Sequence, residues 1–291
     1  MIAVLLALSS ALLFGAMTVA LRVALRAHPE AETGAVATTA VAFVVVAVAA
    51  AVEPGTGELA RPRELAVFAL AGLLAPGISQ ILFTLAIRDA GSSRASVVVG
   101  TAPLFAATLA VGLLGEPLEW PLALGAVLVV VAGALLVGEQ VRPEHFRLVG
   151  LAYAVVATLL FSSRDVLVRW YGEDATLASV EAAAAALASG WLVMLAWAMV
   201  RRRGRLRDEL LRPALLRFAP AGVCFGLSYL LLFEAYYRGR VTVVSPLVAT
   251  ESLWAVLLSA LLLRRTELVG GRLLLGAALV VSGGVLIGVH R

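Results

Sequence analysis

The chain is short of almost everything a soluble protein relies on. Of its 291 residues only 14% are charged, lysine is absent, and soft ligands are limited to one cysteine and three histidines. A lone Cys224 excludes an internal disulfide and a thiolate metal cluster. His28, His145 and His290 fall in expected loops or at the chain end, so no HExxH or similar spacing lies within a helix. No metal site and no cofactor is therefore expected. With no histidine in a helix to serve as base to Cys224 there is also no nucleophile–base pair, so the reading is of a protein with no catalytic residues, not an enzyme.

Apolar residues, in contrast, are in excess. Hydrophobic side chains make up 62% of the chain and its mean hydropathy is +0.99. One soluble core of this length cannot hide that much apolar surface, which makes the lipid bilayer the expected partner. The formal charge of +4 comes from arginines that flank apolar runs, where they anchor helix ends at headgroups. Nucleic acid is not an expected partner.

Runs of about 20 apolar residues span the hydrocarbon. Segmentation on that length predicts ten transmembrane helices near Ile2–Leu25, Thr33–Val52, Leu65–Ile87, Ser93–Leu114, Trp120–Val137, Phe146–Val168, Thr176–Val200, Leu215–Tyr237, Val241–Leu263 and Val269–Val289. The pattern also repeats at a spacing of roughly 150 residues. Leu13-Phe14 and Arg22 match Leu160-Phe161 and Arg169, and Phe68, Gly72, Phe83 and Arg88 match Phe218, Gly222, Phe233 and Arg238. Glu116, Gly125 and Gly133 match Glu267, Gly276 and Gly284. The fold class expected is all-α integral membrane, built as two five-helix repeats over residues 1–140 and 141–291. Five crossings are an odd number, so the repeats are inverted, an arrangement that places a transported solute between them near the midplane.

Prolines interrupt the runs, and Pro103 and Pro246 lie in corresponding helices, which makes them the candidate hinges. Ionisable groups inside the bilayer cost roughly 2.5–3.5 kcal/mol each to insert, so they mark function by default. Nearly all lie in the second repeat: Arg164, Asp165, Glu181, Glu234 and Glu251, with Thr18 and Thr84 standing where the first repeat would match Asp165 and Glu234. The candidate substrate-binding residues are Glu251, Trp254, Glu234, Tyr229, Phe161 and Gln80. Glu251, Glu234 and Asp165 are the candidate proton carriers, while Arg164 and Glu181 are read as charge-balancing or structural. Trp254 follows Glu251 by three residues on one helical face, and an aromatic wall beside a carboxylate suits an organic cation. Arg164, Asp165, Glu181 and Glu234 are expected in one leaflet, forming a vestibule in front of a deeper Glu251.

Leu113-Leu-Gly-Glu116 with Leu124-Gly-Ala126, and Arg265-Thr-Glu267 with Leu275-Gly-Ala277, resemble the repeat endings of the drug/metabolite transporter superfamily, EamA branch. Tyr236-Tyr-Arg-Gly-Arg-Val-Thr-Val-Val-Ser-Pro246 is similar to that family's link from helix eight into helix nine. The second copy departs from the pattern, with Arg264-Arg265-Thr266 in place of Leu-Leu-Gly. The resemblance implies alternating-access transport of a small-molecule substrate across a bacterial cytoplasmic membrane, with export favoured over uptake. Together with the acidic second repeat it gives the expected function: a carrier for a cationic or zwitterionic, amino-acid-sized solute, coupled to protons, as a monomer or a homodimer. The alternatives are a non-transporting structural or regulatory subunit and an uptake carrier for an organic cation. Arginine counts favour both termini outside, whereas the resemblance implies both inside.

Overall fold

The computed structural model describes residues 2–52, 62–114, 146–172, 175–202, 213–239, 241–263 and 270–289, with positions 120, 124, 125, 127, 128, 131, 132 and 135 between them. Its helices, in chain order, are α1 (Ile2–Ala27), α2 (Ala31–Val52), α3 (Pro62–Gly72), α4 (Ser79–Ala90), α5 (Ser92–Val99), α6 (Ala102–Leu114), α7 (Val149–Gly172), α8 (Ser179–Arg202), α9 (Pro213–Arg238), α10 (Val241–Val248), α11 (Glu251–Leu262) and α12 (Gly271–Val289). An all-helical chain is what hydrocarbon demands, because each peptide group must find its partner within its own segment. Among the described residues, seven helical stretches are long and apolar enough to cross a membrane, and a shorter apolar one covers Gly271–Gly283. Most of the expected fifth helix, with Glu116, Glu267, His145 and the arginines of 203–212, lies outside the described residues.

The outer surface is apolar. On α1 the buried stripe runs Ala7, Ala11, Phe14, Thr18, Leu21 and Leu25, at the three- and four-residue steps of one helix face, while Leu5, Leu12 and Val23 are exposed. A soluble protein would not leave such leucines in water, so these outer faces are lipid-facing. Among the described residues, helices of the two halves pack on each other more than within their own half. α1 lies against α9 and α11, α2 against α8 and α9, α3 against α8, and α4 against α7, whereas α1 and α2 barely touch. The α3–α8 contact is close because a Cβ on Gly72 would stand 2.2 Å from Ala186 O. Ser189 Oγ uses that proximity to donate to Ala69 O at 2.7 Å.

Three crossings are interrupted. Between α3 and α4 the chain widens over Leu73–Ile78, where Ala75 is extended (φ −144°, ψ 118°) and Pro76 has no N–H to continue the ladder. Gly91, at φ 95°, turns α4 into α5, a conformation that costs only glycine nothing. The other two interruptions match each other. α5 breaks into α6 at Gly100-Thr101, and α10 breaks into α11 at Ala249-Thr250. In both, a threonine Oγ1 donates to the carbonyl three residues back at 2.6 Å: Thr101 to Val98 and Thr250 to Leu247. Pro103 follows the first break inside α6, and Pro246 precedes the second inside α10. The repeat seen in the sequence is thus also a repeat of local backbone design. Its arginines repeat as well: Arg22 Nη1 donates to Ile87 O at 2.9 Å and Arg169 Nη1 to Tyr236 O at 3.3 Å.

Candidate functional site

The breaks decide what reaches the interior. Glu251 is the first residue of α11 and is 4% exposed. Its backbone carbonyl faces α1, where a Cβ on Gly15 would come within 3.2 Å of Glu251 O and 2.8 Å of Trp254 Cβ. The equivalent contact in the other half is polar: Ser162 Oγ of α7 donates to Ala102 O at 3.1 Å, just past the first break. Glu251 therefore sits at a turn of the backbone where its counterpart, Ala102, carries no charge.

Arg164 and Asp165 of α7 lie within electrostatic reach of Glu251. Both are buried, and Arg164 Nε donates to Asp165 Oδ1 at 2.7 Å. The guanidinium carbon stands 4.9 Å from the centre of the Tyr229 ring, 5.7 Å from Phe161 and 6.0 Å from Phe233. Cation–π contact of this kind favours a desolvated arginine. Tyr229 stacks on Phe233 at 5.1 Å, and its hydroxyl donates to Ala75 O at 2.8 Å. That carbonyl belongs to the interruption before α4, so α9 of the second half grips the bend of the first. The Tyr236 hydroxyl faces Asp165 and Ser245 but stops short of a formed hydrogen bond.

One phenylalanine layer borders this cluster. Phe14 touches Phe83 at 5.4 Å, Phe161 at 6.0 Å and Phe225 at 6.2 Å, and Phe83 touches Phe161 at 6.0 Å. Gln80, on α4 one turn from Phe83, has no exposed surface, and neither end of its amide finds a partner.

The candidates divide. Arg164, Asp165, Glu251, Tyr229 and Phe161 come together, whereas Gln80 is buried on α4 and makes no hydrogen bond to them. Glu234 does not join them. It accepts from Ser179 Oγ and pairs with Arg238 at the end of α9. Glu181 accepts from Ala178 N–H at 3.2 Å, capping the start of its own helix. Tyr237 lies in the field of Glu234, Glu181 and Glu64. Glu64 in turn holds Thr176 N–H and Leu177 N–H at 3.1 Å, stitching α3 to the segment before α8. Trp254 is 37% exposed, turned from the cluster toward the periphery. Sequence reasoning missed Glu64, the Ala75 carbonyl, and Phe14 with Phe83. The last two carried a usable signal, since both are landmarks of the repeat.

A family model described as the EamA-like transporter family matches the chain twice, over residues 1–138 and 148–289. A solved crystal structure, described only as that of a protein, is similar over 99% of both chains at 21% identity with a TM-score of 0.66. That likeness is one of fold. No curated protein matches the chain.

Proposed function

Since the chain belongs to the EamA-like transporter family, we propose that it is a secondary active transporter for a small organic solute, cationic or zwitterionic and about the size of an amino acid. The carrying observation is the buried set Arg164, Asp165 and Glu251. One guanidinium faces two carboxyls there. Charge in such a place has to be matched, so one more positive charge is required, and either a proton or a cationic group of the solute can supply it. Glu251, away from the Arg164–Asp165 bond, is the group on which the two meet. Asp165 holds Arg164 in place and is the second proton candidate.

Residues 1–140 and 141–291 form two inverted five-helix repeats in this reading, with the solute between them. The paired threonine-latched breaks and the paired arginine–carbonyl contacts support it, because an inverted repeat reuses the same local device once in each half. The breaks beside Pro103 and Pro246 are the bending points for alternating access. Tyr229, Phe161 and Gln80 line the chamber with Glu251. Glu234, with Ser179 and Arg238, closes one end of the molecule and carries no solute.

Reconstitution tests the function. Purified protein in sealed liposomes, under an imposed pH gradient, is screened for gradient-driven movement of radiolabelled amines and amino acids. Movement that follows the gradient and vanishes when it is collapsed supports the reading. Absence of any gradient-dependent flux across cations and zwitterions refutes it.

A further inference from the structure

Helices α5 and α11 meet in a closed seam. The hydroxyls of Ser92 and Ser259 share a hydrogen bond at 2.9 Å, and two turns along α5 a Cβ on Gly100 would stand 2.9 Å from Ser252 Cβ. The residue numbers run in opposite senses, so the two helices are antiparallel. Their seam reaches from the level of Glu251 to the turn between α4 and α5. Ser96 lies four residues from both Ser92 and Gly100, on the same face of α5. It is fully buried there, and among the described residues its hydroxyl has no partner.

The paired breaks make α10 the repeat equivalent of α5, and α11 that of α6. A molecule that obeyed the repeat throughout would press α10 against α6 as firmly as α5 against α11. Among the described residues it does not: α6 and α10 barely touch, whereas α5 and α11 are in extended contact. Elsewhere each contact has its counterpart, α1 on α9 with α4 on α7, and α2 on α9 with α3 on α8. Ser245, the equivalent of Ser96, faces the Tyr236 hydroxyl. At that end Glu234 and Ser179 tie α8 to α9, so the gap lies between α6 and α10.

We propose that the two seams are a pair of gates: α5–α11 is shut in this structure, α6–α10 is parted, and the second closes as the first opens. This deepens the transporter reading above and rests on its inverted repeats. Opening the shut seam breaks the Ser92–Ser259 hydrogen bond but wets Ser96, whose unmet hydroxyl is a cost of staying closed. The two effects oppose each other, which keeps the gate reversible. Ser96 sets the balance between them.

The test uses the full-length protein with Cys224→Ala in sealed liposomes and two separate cysteine pairs. Counted from Thr101 and Thr250, Val241 and Ala110 are the equivalents of Ser92 and Ser259. Ser92→Cys/Ser259→Cys should form a disulfide on mild oxidation. Ala110→Cys/Val241→Cys should form one more slowly, as molecules visit the other state. Ser96→Ala, added to each pair, removes the unmet hydroxyl and favours the shut seam. The ratio of the first cross-linking rate to the second should then rise at least about fivefold. A ratio that does not rise, or a second disulfide that never forms, overturns the gates. Cross-linking needs no cargo, which separates the two readings. The expected ratio without flux of any solute sinks the transporter and leaves the gates. Flux that continues through the oxidised Ser92→Cys/Ser259→Cys protein sinks the gates and leaves the transporter.

Discussion

Glu251→Gln is the most telling substitution in this molecule. The amide keeps the shape and volume of the carboxyl, so the contacts of α11 with α1 at Gly15 survive, and only the ability to gain and lose a charge is removed. In the proposed carrier, one guanidinium against two carboxyls calls for a single exchangeable positive charge, which would set the coupling at one proton per cycle. A gradient of two pH units is worth about 2.7 kcal/mol per proton. With the membrane potential clamped at zero, that energy supports a solute ratio of at most about 100 across the membrane. Liposomes bearing the unaltered protein should approach that ratio, whichever direction the coupling takes. Those bearing Glu251→Gln should settle at a ratio near one, and any remaining exchange of labelled for unlabelled solute should need a higher solute concentration, because the neutral amide holds the solute's cationic group less well. Gradient-driven accumulation that persists in Glu251→Gln refutes the carboxyl as the coupling group.

Other expectations follow from the same geometry. With Cys224 replaced by Ala, single cysteines at Arg88 and Arg238, which occupy equivalent positions in the two repeats, should react with an impermeant maleimide from opposite sides of the membrane; labelling from one side disproves the inversion. Gly190→Ala places a Cβ 2.7 Å from Pro76 Cγ and 2.8 Å from both Gly72 O and Gly77 N, a collision with backbone that should cost about 1–3 kcal/mol and lower the melting temperature in detergent. Glu64→Ala removes the acceptor of Thr176 and Leu177, and hydrogen exchange at residues 175–178 should rise about tenfold for a loss near 1.4 kcal/mol. Tyr229→Phe frees the Ala75 carbonyl and should slow transport more than it weakens binding, read as a fall in maximal rate at nearly constant half-saturation.

How much of this could be read beforehand depended on chemistry that stands out in hydrocarbon. Arg164, Asp165 and Glu251 were legible because a charge inside an apolar run has few innocent explanations. Their grouping was less so, since the sequence sets Arg164 and Asp165 beside Glu181 and Glu234 in front of Glu251, whereas they lie within the field of Glu251 and apart from the other two. The side on which each faces was not legible. Glu234 and Glu181 share an end of the molecule with each other and turn to Ser179, Arg238 and Ala178, contacts that depend on how α8 and α9 meet. Trp254 shows the same limit at close range: three residues fall about 60° short of a full turn, enough to carry its ring to the rim while Glu251 stays inside. Pro103 and Pro246 marked interrupted helices, but the latches lie two and four residues away, where Thr101 and Thr250 hold their own backbone. The phenylalanine layer was hidden because Phe is as much at home against lipid as against Phe, and only the repeat singled out Phe14 and Phe83.

The Tyr229 side chain touches both machines at once. Its ring is the floor under the Arg164 guanidinium, and its hydroxyl is fastened to the carbonyl where the third crossing gives way at Ala75. A guest that draws the guanidinium aside must either drag the ring along or part it from that carbonyl. In the proposed carrier, news of arrival would thus pass from one half of the chain to the other through this aromatic crank.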